Sequence, residues 1–496
     1  MGGRSAAGVA ALAAVLVTAG FLSPRAIPYN MDEFVHYHAL GCAAFPLSRT
    51  LNAYREGCGQ YALRPPFSAT FLPLRSYLYI GSLPVAPFYP FWAALRDPVA
   101  ARVQGMVFLL AAGLLGARLL GLPLPAVLLA SAVFPLYPFA FLVDTGPVGI
   151  SIVILFATLL AVRAALESPR PAAAVTWSAL AGFVAFLGLW VKLVFAWCLP
   201  AIAIFALSRR RVRVVPALAG IVAFALPALW LLCAQTTDGS RYYRVVSVGR
   251  FSADPEAAAA AGSRLGTLIL HGSAMVPTTV EWPFLPLDYL PALLGAVMVT
   301  VGLGRRDTRA DTALWSGCAL CVFAIAVWSG RADAVHHVVF AIVFLVLGMA
   351  VAMARMRTVW RLAVAAVVVL YWCSLAARLP WARPTPGASF AKDRLLTFVR
   401  ESGLDHRTVQ LHASWGTYYI AHLFGSRDQV VLFSKRFPDS EEMLHAVRAF
   451  AVSRGREVLI VSRRPAKMHT EAEMRVLGEA KAVYRFDDWW AAEFVP

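Results

Sequence analysis

Charge is scarce in this chain, and lysine is the scarcest charge. Charged residues make up 15% of the 496 residues, against roughly 25% in soluble domains. Only five of the 45 basic residues are lysine, at positions 192, 392, 435, 467 and 481. Such a composition excludes a soluble enzyme, a coiled coil and a disordered chain, all of which are built on charged or polar surface. Cysteine is sparse too: seven residues at 42, 58, 198, 233, 318, 321 and 373, five of them inside apolar runs, so the chain is not a disulfide scaffold. No internal repeat is visible, and the only low-complexity tract is the short alanine run 257 to 261.

Apolar sequence fills the chain instead, 59% hydrophobic with a mean hydropathy of +0.65. It is gathered into continuous runs over the first 380 residues: 6 to 22, 100 to 120, 123 to 141, 147 to 166, 173 to 190, 193 to 207, 214 to 234, 286 to 303, 313 to 329, 336 to 354 and 359 to 377. Runs of about 17 to 22 residues cross a bilayer as helices. Membrane β-barrels are excluded because their strands alternate in short segments. The expectation is an α-helical polytopic membrane protein of about eleven transmembrane helices, spanning residues 1 to 380, with a small soluble α/β domain at 381 to 496. That tail holds 17 basic and 14 acidic residues, so the excess of positive charge in the net +17 lies in the membrane part. There cations carry topological meaning, and nucleic acid is not the indicated partner.

Arginine clusters at 163 and 170, at 209 to 213, at 305 to 309 and at 355 to 361 mark alternate loops as cytoplasmic. The N-terminus is then inside and the tail outside, in the reading of a cytoplasmic (inner) membrane protein. An alternative for the first run is a cleaved signal peptide. Two long segments face the exterior, 23 to 99 and 235 to 285; the second, with Pro277, Pro283 and Pro286, reads as helices lying on the membrane surface. In the tail, periodicity predicts helices over 394 to 402, 417 to 424 and 441 to 454, and strands over 408 to 412, 429 to 433 and 457 to 462.

The chemistry-bearing residues lie in or beside the external segments. Asn30-Met31-Asp32-Glu33-Phe34-Val35-His36-Tyr37-His38 sets two adjacent carboxylates and two imidazoles just beyond the first run, and Asp32 and His36 are four apart. The bland reading is a solvated interfacial patch. Farther on, Arg64 and Arg75 stand in proline- and tyrosine-rich sequence, where a guanidinium suits phosphate oxygens; contact with anionic headgroups is their plain alternative. Asp144 is nearly alone among some 60 apolar residues, which makes it a functional candidate or a helix cap. Lys192 is the only lysine in the membrane part; it binds phosphate or snorkels. His336 and His337 add donors in a short outer loop.

In their order and sidedness these features resemble the polytopic GT-C glycosyltransferases, in particular bacterial members akin to the protein O-mannosyltransferases and the lipid A aminoarabinose transferase. The resemblance covers residues 1 to about 350 and rests on Asp32-Glu33, Pro65-Pro66 with Tyr77 and Tyr79, Asp97-Pro98-Val99-Ala100-Ala101-Arg102, Asp144 and Lys192. The segment 39 to 63, with Cys42 and Cys58, departs from that pattern. The resemblance implies sugar transfer from a polyprenyl-phosphate-linked donor to an envelope glycan, lipid or protein acceptor, with inversion. Asp32 is then the general base and Glu33 and Asp144 position it or the acceptor. Arg64, Arg75, Lys192, His336 and His337 would hold the lipid phosphate. The resemblance fixes no cofactor: a divalent metal on the phosphate, or on His36 and His38, stays open, as does a disulfide between Cys42 and Cys58.

Two other classes fit the composition. A transporter or lipid flippase shares the span count, yet transporters pair inverted halves around mid-membrane charges, and here the notable charges gather at one face with no half-to-half similarity. A metal-dependent hydrolase using Glu33, His36 and His38 completes no zinc signature. The topology is open to a direct check. A phosphatase fused after Pro496 is expected to be active, and a cytoplasmic reporter at the same position silent; the reverse pair overturns the assignment.

Overall fold

The computed structural model describes residues 26–30, 33–37, 63–64, 75–77, 80–81, 87–95, 97–142, 147–209, 213–233, 235–236, 280–281, 285–329, 335–384, 388–425, 430–432, 440–463 and 475–496. The first apolar run lies outside them. Two compact units emerge: the first gathers residues 102–233 and 244–383, the second residues 27–101, 234–243 and 384–496. The long segment after the first apolar run thus belongs with the C-terminal residues.

Unit 1 is helical. Its helices are α1 (Val99–Leu120), α2 (Leu124–Ala132), α3 (Leu136–Leu142), α4 (Val148–Glu167), α5 (Pro171–Val191), α6 (Leu199–Ser208), α7 (Val214–Cys233), α8 (Leu290–Gly304), α9 (Arg309–Trp328), α10 (Val335–Arg355) and α11 (Thr358–Arg378). Among the described residues, eight helical stretches are long and apolar enough to cross a membrane, and nine if α2 and α3 form one broken span. These are multi-pass membrane helices. The run 123 to 141 is not one straight helix: it bends by 100° between α2 and α3, where Pro135 has no N–H to give and a proline disfavours the α region at the residue before it. The run 193 to 207 opens as a 3-10 helix, Leu193–Cys198, before the ten residues of α6.

Burial sorts the helices. α10 is 83% buried over its apolar window and forms the centre, whereas α7 is 11% buried there and exposes Leu218, Ile221, Leu226 and Leu229. Leucine and isoleucine presented in such a row suit hydrocarbon, not water. With no hydrophobic drive between helices in lipid, small residues set the closest crossings. A Cβ built on Gly182 of α5 would sit 2.0 Å from the carbonyl oxygen of Gly220 on α7, so no other residue fits there.

Unit 2 contains a five-stranded sheet of β1 (Thr408–His412), β2 (Val430–Leu432), β3 (Glu457–Ser462), β4 (Ala480–Phe486) and β5 (Trp489–Phe494). Its order is β4-β5-β3-β1-β2. β1 pairs in parallel with both β2 and β3, while β5 runs antiparallel to β3 and β4. Helices α12 (Phe390–Glu401), α13 (Trp415–Phe424) and α14 (Ser440–Ser453) accompany it. The period of two along β3 divides the core. Val458 and Ile460 join Met443, Leu444 and Val447 of α14 on one face. Leu459 and Val461 join Ala391, Leu395 and Val399 of α12 on the other. α12 is well specified locally: the Ser389 hydroxyl accepts from Ala391 N at 3.1 Å, and Gly403 just past its end takes a φ of 69°.

The strands and helices expected between 408 and 462 are present within a residue or two of their bounds. The β4–β5 hairpin was not expected. In the external segments, Leu63–Arg64 pairs antiparallel with Gln235–Thr236, and Val280–Glu281 is a short strand; the remainder of 235 to 285, expected as surface helices, lies outside the described residues.

His412 ends β1 fully buried, its Nε2 2.9 Å from Gln410 Oε1, and burial pushes its imidazole down to about 3. The unfolded chain titrates the same group near 6.5. Between those values the unfolded state binds the proton and the folded state does not. Stability is therefore whole above pH 6.5 and falls on acidification by about 1.4 kcal/mol per pH unit. Pulse proteolysis in urea, read on fragments from 384 to 496, should show the midpoint dropping between pH 6.5 and 4.5, with a shallower drop in His412→Gln. Equal slopes in the two proteins would contradict it.

Candidate active site

In unit 2 the acidic motif sits in a closed turn. Asn30 N donates to Glu33 Oε1 at 3.1 Å, and Glu33 N donates to the Asn30 carbonyl at 3.3 Å, so residues 30 and 33 cap one another across the turn. A 3-10 helix, Val35–Tyr37, comes next. Glu33, Phe34, Val35 and Tyr37 are all buried, so these four residues form no solvated patch. Asp32 lies outside the described residues, as do His38, Cys42 and Cys58, and His36 is described only as backbone of the 3-10 helix. Arg64 and Arg75 are likewise placed by backbone alone: Arg64 pairs with Gln235, and Arg75 with Gly81 in a small hairpin.

In unit 1 the break between α5 and the succeeding 3-10 helix falls at Lys192, whose φ and ψ of −150° and 120° are extended. Its N–H still closes the last turn of α5 on the Gly188 carbonyl, and its carbonyl accepts from Phe195 N at 2.9 Å. The 3-10 helix that Lys192 heads carries Trp197, whose ring meets His337 edge-on at 5.6 Å and 90°. Lys192 and His337, 145 residues apart in sequence, are each only 3% exposed. Arg102, at the start of the apolar part of α1, is fully buried. Arg102, Lys192 and His337 each make further interactions, so none of the three is free. Asp144 falls outside the described residues, and His336 is known here only as backbone in the first turn of α10. Among the described residues no group of three or more His, Cys, Asp or Glu side chains is placed to hold a metal ion.

Unit 1 also holds a buried carboxylate that sequence reading passed over. Asp288 opens α8 in a 3-10 turn, and its Oδ1 and Oδ2 accept from both terminal nitrogens of Arg378 at 2.7 and 2.8 Å. Tyr371 O–H adds a bond to Oδ1 at 3.0 Å, and Leu285 N one to Oδ2 at 2.8 Å. A carboxylate so fully used has no lone pair to offer a substrate proton. It is a staple between the beginning of α8 and the end of α11, and an isolated aspartate at the mouth of an apolar run was its only trace in sequence.

Among known proteins, no family model matches the sequence, and no curated protein does. Two crystal structures of ArnT from Cupriavidus metallidurans match along nearly the whole chain. One is bound to undecaprenyl phosphate, with a TM-score of 0.52 at 13% identity, covering 98% of this chain and 97% of that one. The other is in the apo state, with a TM-score of 0.51 and the same identity and coverage. The chain has the ArnT fold. The likeness runs through the C-terminal sheet as well as the helices. A fold hosts many activities, so the roles of single residues rest on their chemistry.

The staple has a measurable consequence for stability in the ArnT fold. Asp288→Ala alone strands the Arg378 guanidinium and should lower stability by about 3 to 5 kcal/mol, as should Arg378→Met alone. The double variant leaves no orphan charge and should lose clearly less than the two single losses added together. A double-mutant cycle of unfolding in mixed detergent micelles reads this; strict additivity would contradict the staple.

Proposed function

We propose that the chain is a glycosyltransferase that moves a hexosyl or pentosyl group from a polyprenyl-phosphate donor to an acceptor on the outer face of the cytoplasmic membrane. The observation that carries this reading is the near-complete likeness to a fold solved with undecaprenyl phosphate bound, joined to an acidic motif built into a buried turn. The N-terminus is inside and unit 2 outside in this proposal, in keeping with the arginine clusters.

The reaction is one displacement. The acceptor hydroxyl attacks the anomeric carbon, the bond from that carbon to the phosphate oxygen breaks, and the electron pair leaves with the lipid phosphate. A single attack from the opposite face inverts the anomeric centre. Asp32 takes the acceptor's proton, with Glu33 and Asp144 positioning it or the acceptor. Lys192, held at a helix break and buried, meets the charge that develops on the departing phosphate, and His337 together with Arg64, Arg75 and His336 completes the donors. The lipid tail is apolar and so are the surroundings: a cavity of about 290 Å³ between α8, α9 and α10 is lined by Phe134, Gly295, Phe323, Val338 and Met349. An activated phosphate leaving group removes the need for a covalent enzyme intermediate, and the step needs no redox cofactor.

Two variants separate the roles. Asp32→Asn keeps the shape and loses the base; transfer should fall by about 10² to 10⁴ while binding of polyprenyl phosphate, monitored by native mass spectrometry, is unchanged. Lys192→Ala should weaken that binding about tenfold, the order of one charge-assisted contact. Full transfer in Asp32→Asn would overturn the assignment of the base, and unchanged binding in Lys192→Ala that of the phosphate contact.

A further inference from the structure

Lys392 is fully buried, although a buried ammonium is costly unless it is paired and bonded. It lies in the first turn of α12, and its Nζ donates to the backbone carbonyl of Tyr29. Its neighbour Asp393 takes the other backbone group of the same residue, accepting from Tyr29 N at 3.2 Å. The two side chains support one another, with Nζ 3.6 Å from Asp393 Oδ1. Tyr29 is thus gripped by both its N–H and its C=O, as a strand partner would grip it, across some 363 residues of sequence.

The acidic motif begins at the very next residue. Asn30 and Glu33 close their turn on each other, and Asp32 stands between them in sequence. The far side of the turn is fixed by Phe34, whose ring packs at 5.6 Å from Tyr29 and 5.5 Å from Phe424 at the end of α13. α12 itself is anchored to the sheet through Leu395 and Val399, so a rigid element lies behind the grip.

We infer that Lys392 and Asp393 are positioning residues: together they clamp the backbone of Tyr29 and so hold the turn closed by Asn30 and Glu33, which flanks Asp32 in sequence, on α12 of unit 2. The role of the clamp in turnover rests on the transferase reading above; the clamp itself does not. Holding a reacting group within a fraction of an ångström is worth up to about 10²-fold in rate, and a short loop gains that precision only from the element it is tied to.

The test uses the full-length protein and two readouts. Hydrogen–deuterium exchange of peptides spanning 27 to 37 should rise in Lys392→Met and in Asp393→Ala, with peptides from β1 and β3 unchanged. Turnover, with a polyprenyl-phosphate sugar that the wild-type protein consumes, should show kcat down about tenfold or more and the donor KM within about threefold. Asp393→Asn keeps an oxygen to accept from Tyr29 N but loses the negative charge beside Lys392, and should disturb both readouts clearly less than Asp393→Ala. A residue needed only for folding would disturb β1 and β3 as well and would not be rescued by asparagine. Unchanged exchange over 27 to 37 overturns the clamp. Raised exchange with wild-type kcat overturns its part in catalysis. Absence of turnover in the wild-type protein on every donor overturns the transferase reading, and the exchange arm then decides the clamp alone.

Discussion

A charge taken into a dry interior persists only where something holds it, and that constraint arranges the ionisable groups of this protein. The chain places few charges in its helices and surrounds each buried one with structure. Two outcomes can be told apart by their bonds. Asp288 spends its carboxylate on two bonds from Arg378, with Tyr371 and a backbone N–H filling its remaining sites. Lys192 instead sits where a helix is broken, in extended backbone, heading a 3-10 turn that leads to His337 through Trp197. The first arrangement is closed and serves architecture. The second sets a buried lysine at an irregular point of the backbone.

The same logic operates in unit 2, where the polar groups are tied to backbone. The turn of residues 30 to 33 is closed by its own glutamate, and the residue before it is held by Lys392 and Asp393. Residues 27–101 and 384–496 belong to one compact unit. The sheet therefore has a structural task, carrying the turn of residues 30 and 33 on a packed α/β core.

The legible part of the fold was the local part. Apolar runs found the membrane helices, and alternation found β1, β2, β3 and the helices α12 to α14, because hydrophobic period depends only on neighbours a few residues away. The bend between α2 and α3 was written as Pro135 within a run that hydropathy alone counts as continuous. The β4–β5 hairpin was missed since its turn is Asp487-Asp488, with Asp487 at a φ of 50°, and not the glycine-bearing turn that usually marks a two-residue hairpin. The Asp288–Arg378 staple and the Lys392–Tyr29 contact join residues 90 and 363 apart, and no window on the sequence spans such distances. Of the candidate residues, Glu33 in unit 2 and Lys192 and His337 in unit 1 are buried, while Asp32 and Asp144 rest on their chemistry and order in the chain.

Movement of sugar from a lipid phosphate by this fold is tested most directly by incubating the purified wild-type protein with a panel of polyprenyl-phosphate sugars and an extract of envelope acceptors. Free polyprenyl phosphate is the quantity to measure. Release of the lipid phosphate from one donor, matched by appearance of the sugar on an acceptor with inverted anomeric configuration, is the predicted result. No release from any donor by protein that still binds polyprenyl phosphate would contradict the claim and leave an ArnT fold that carries the lipid without transferring its cargo.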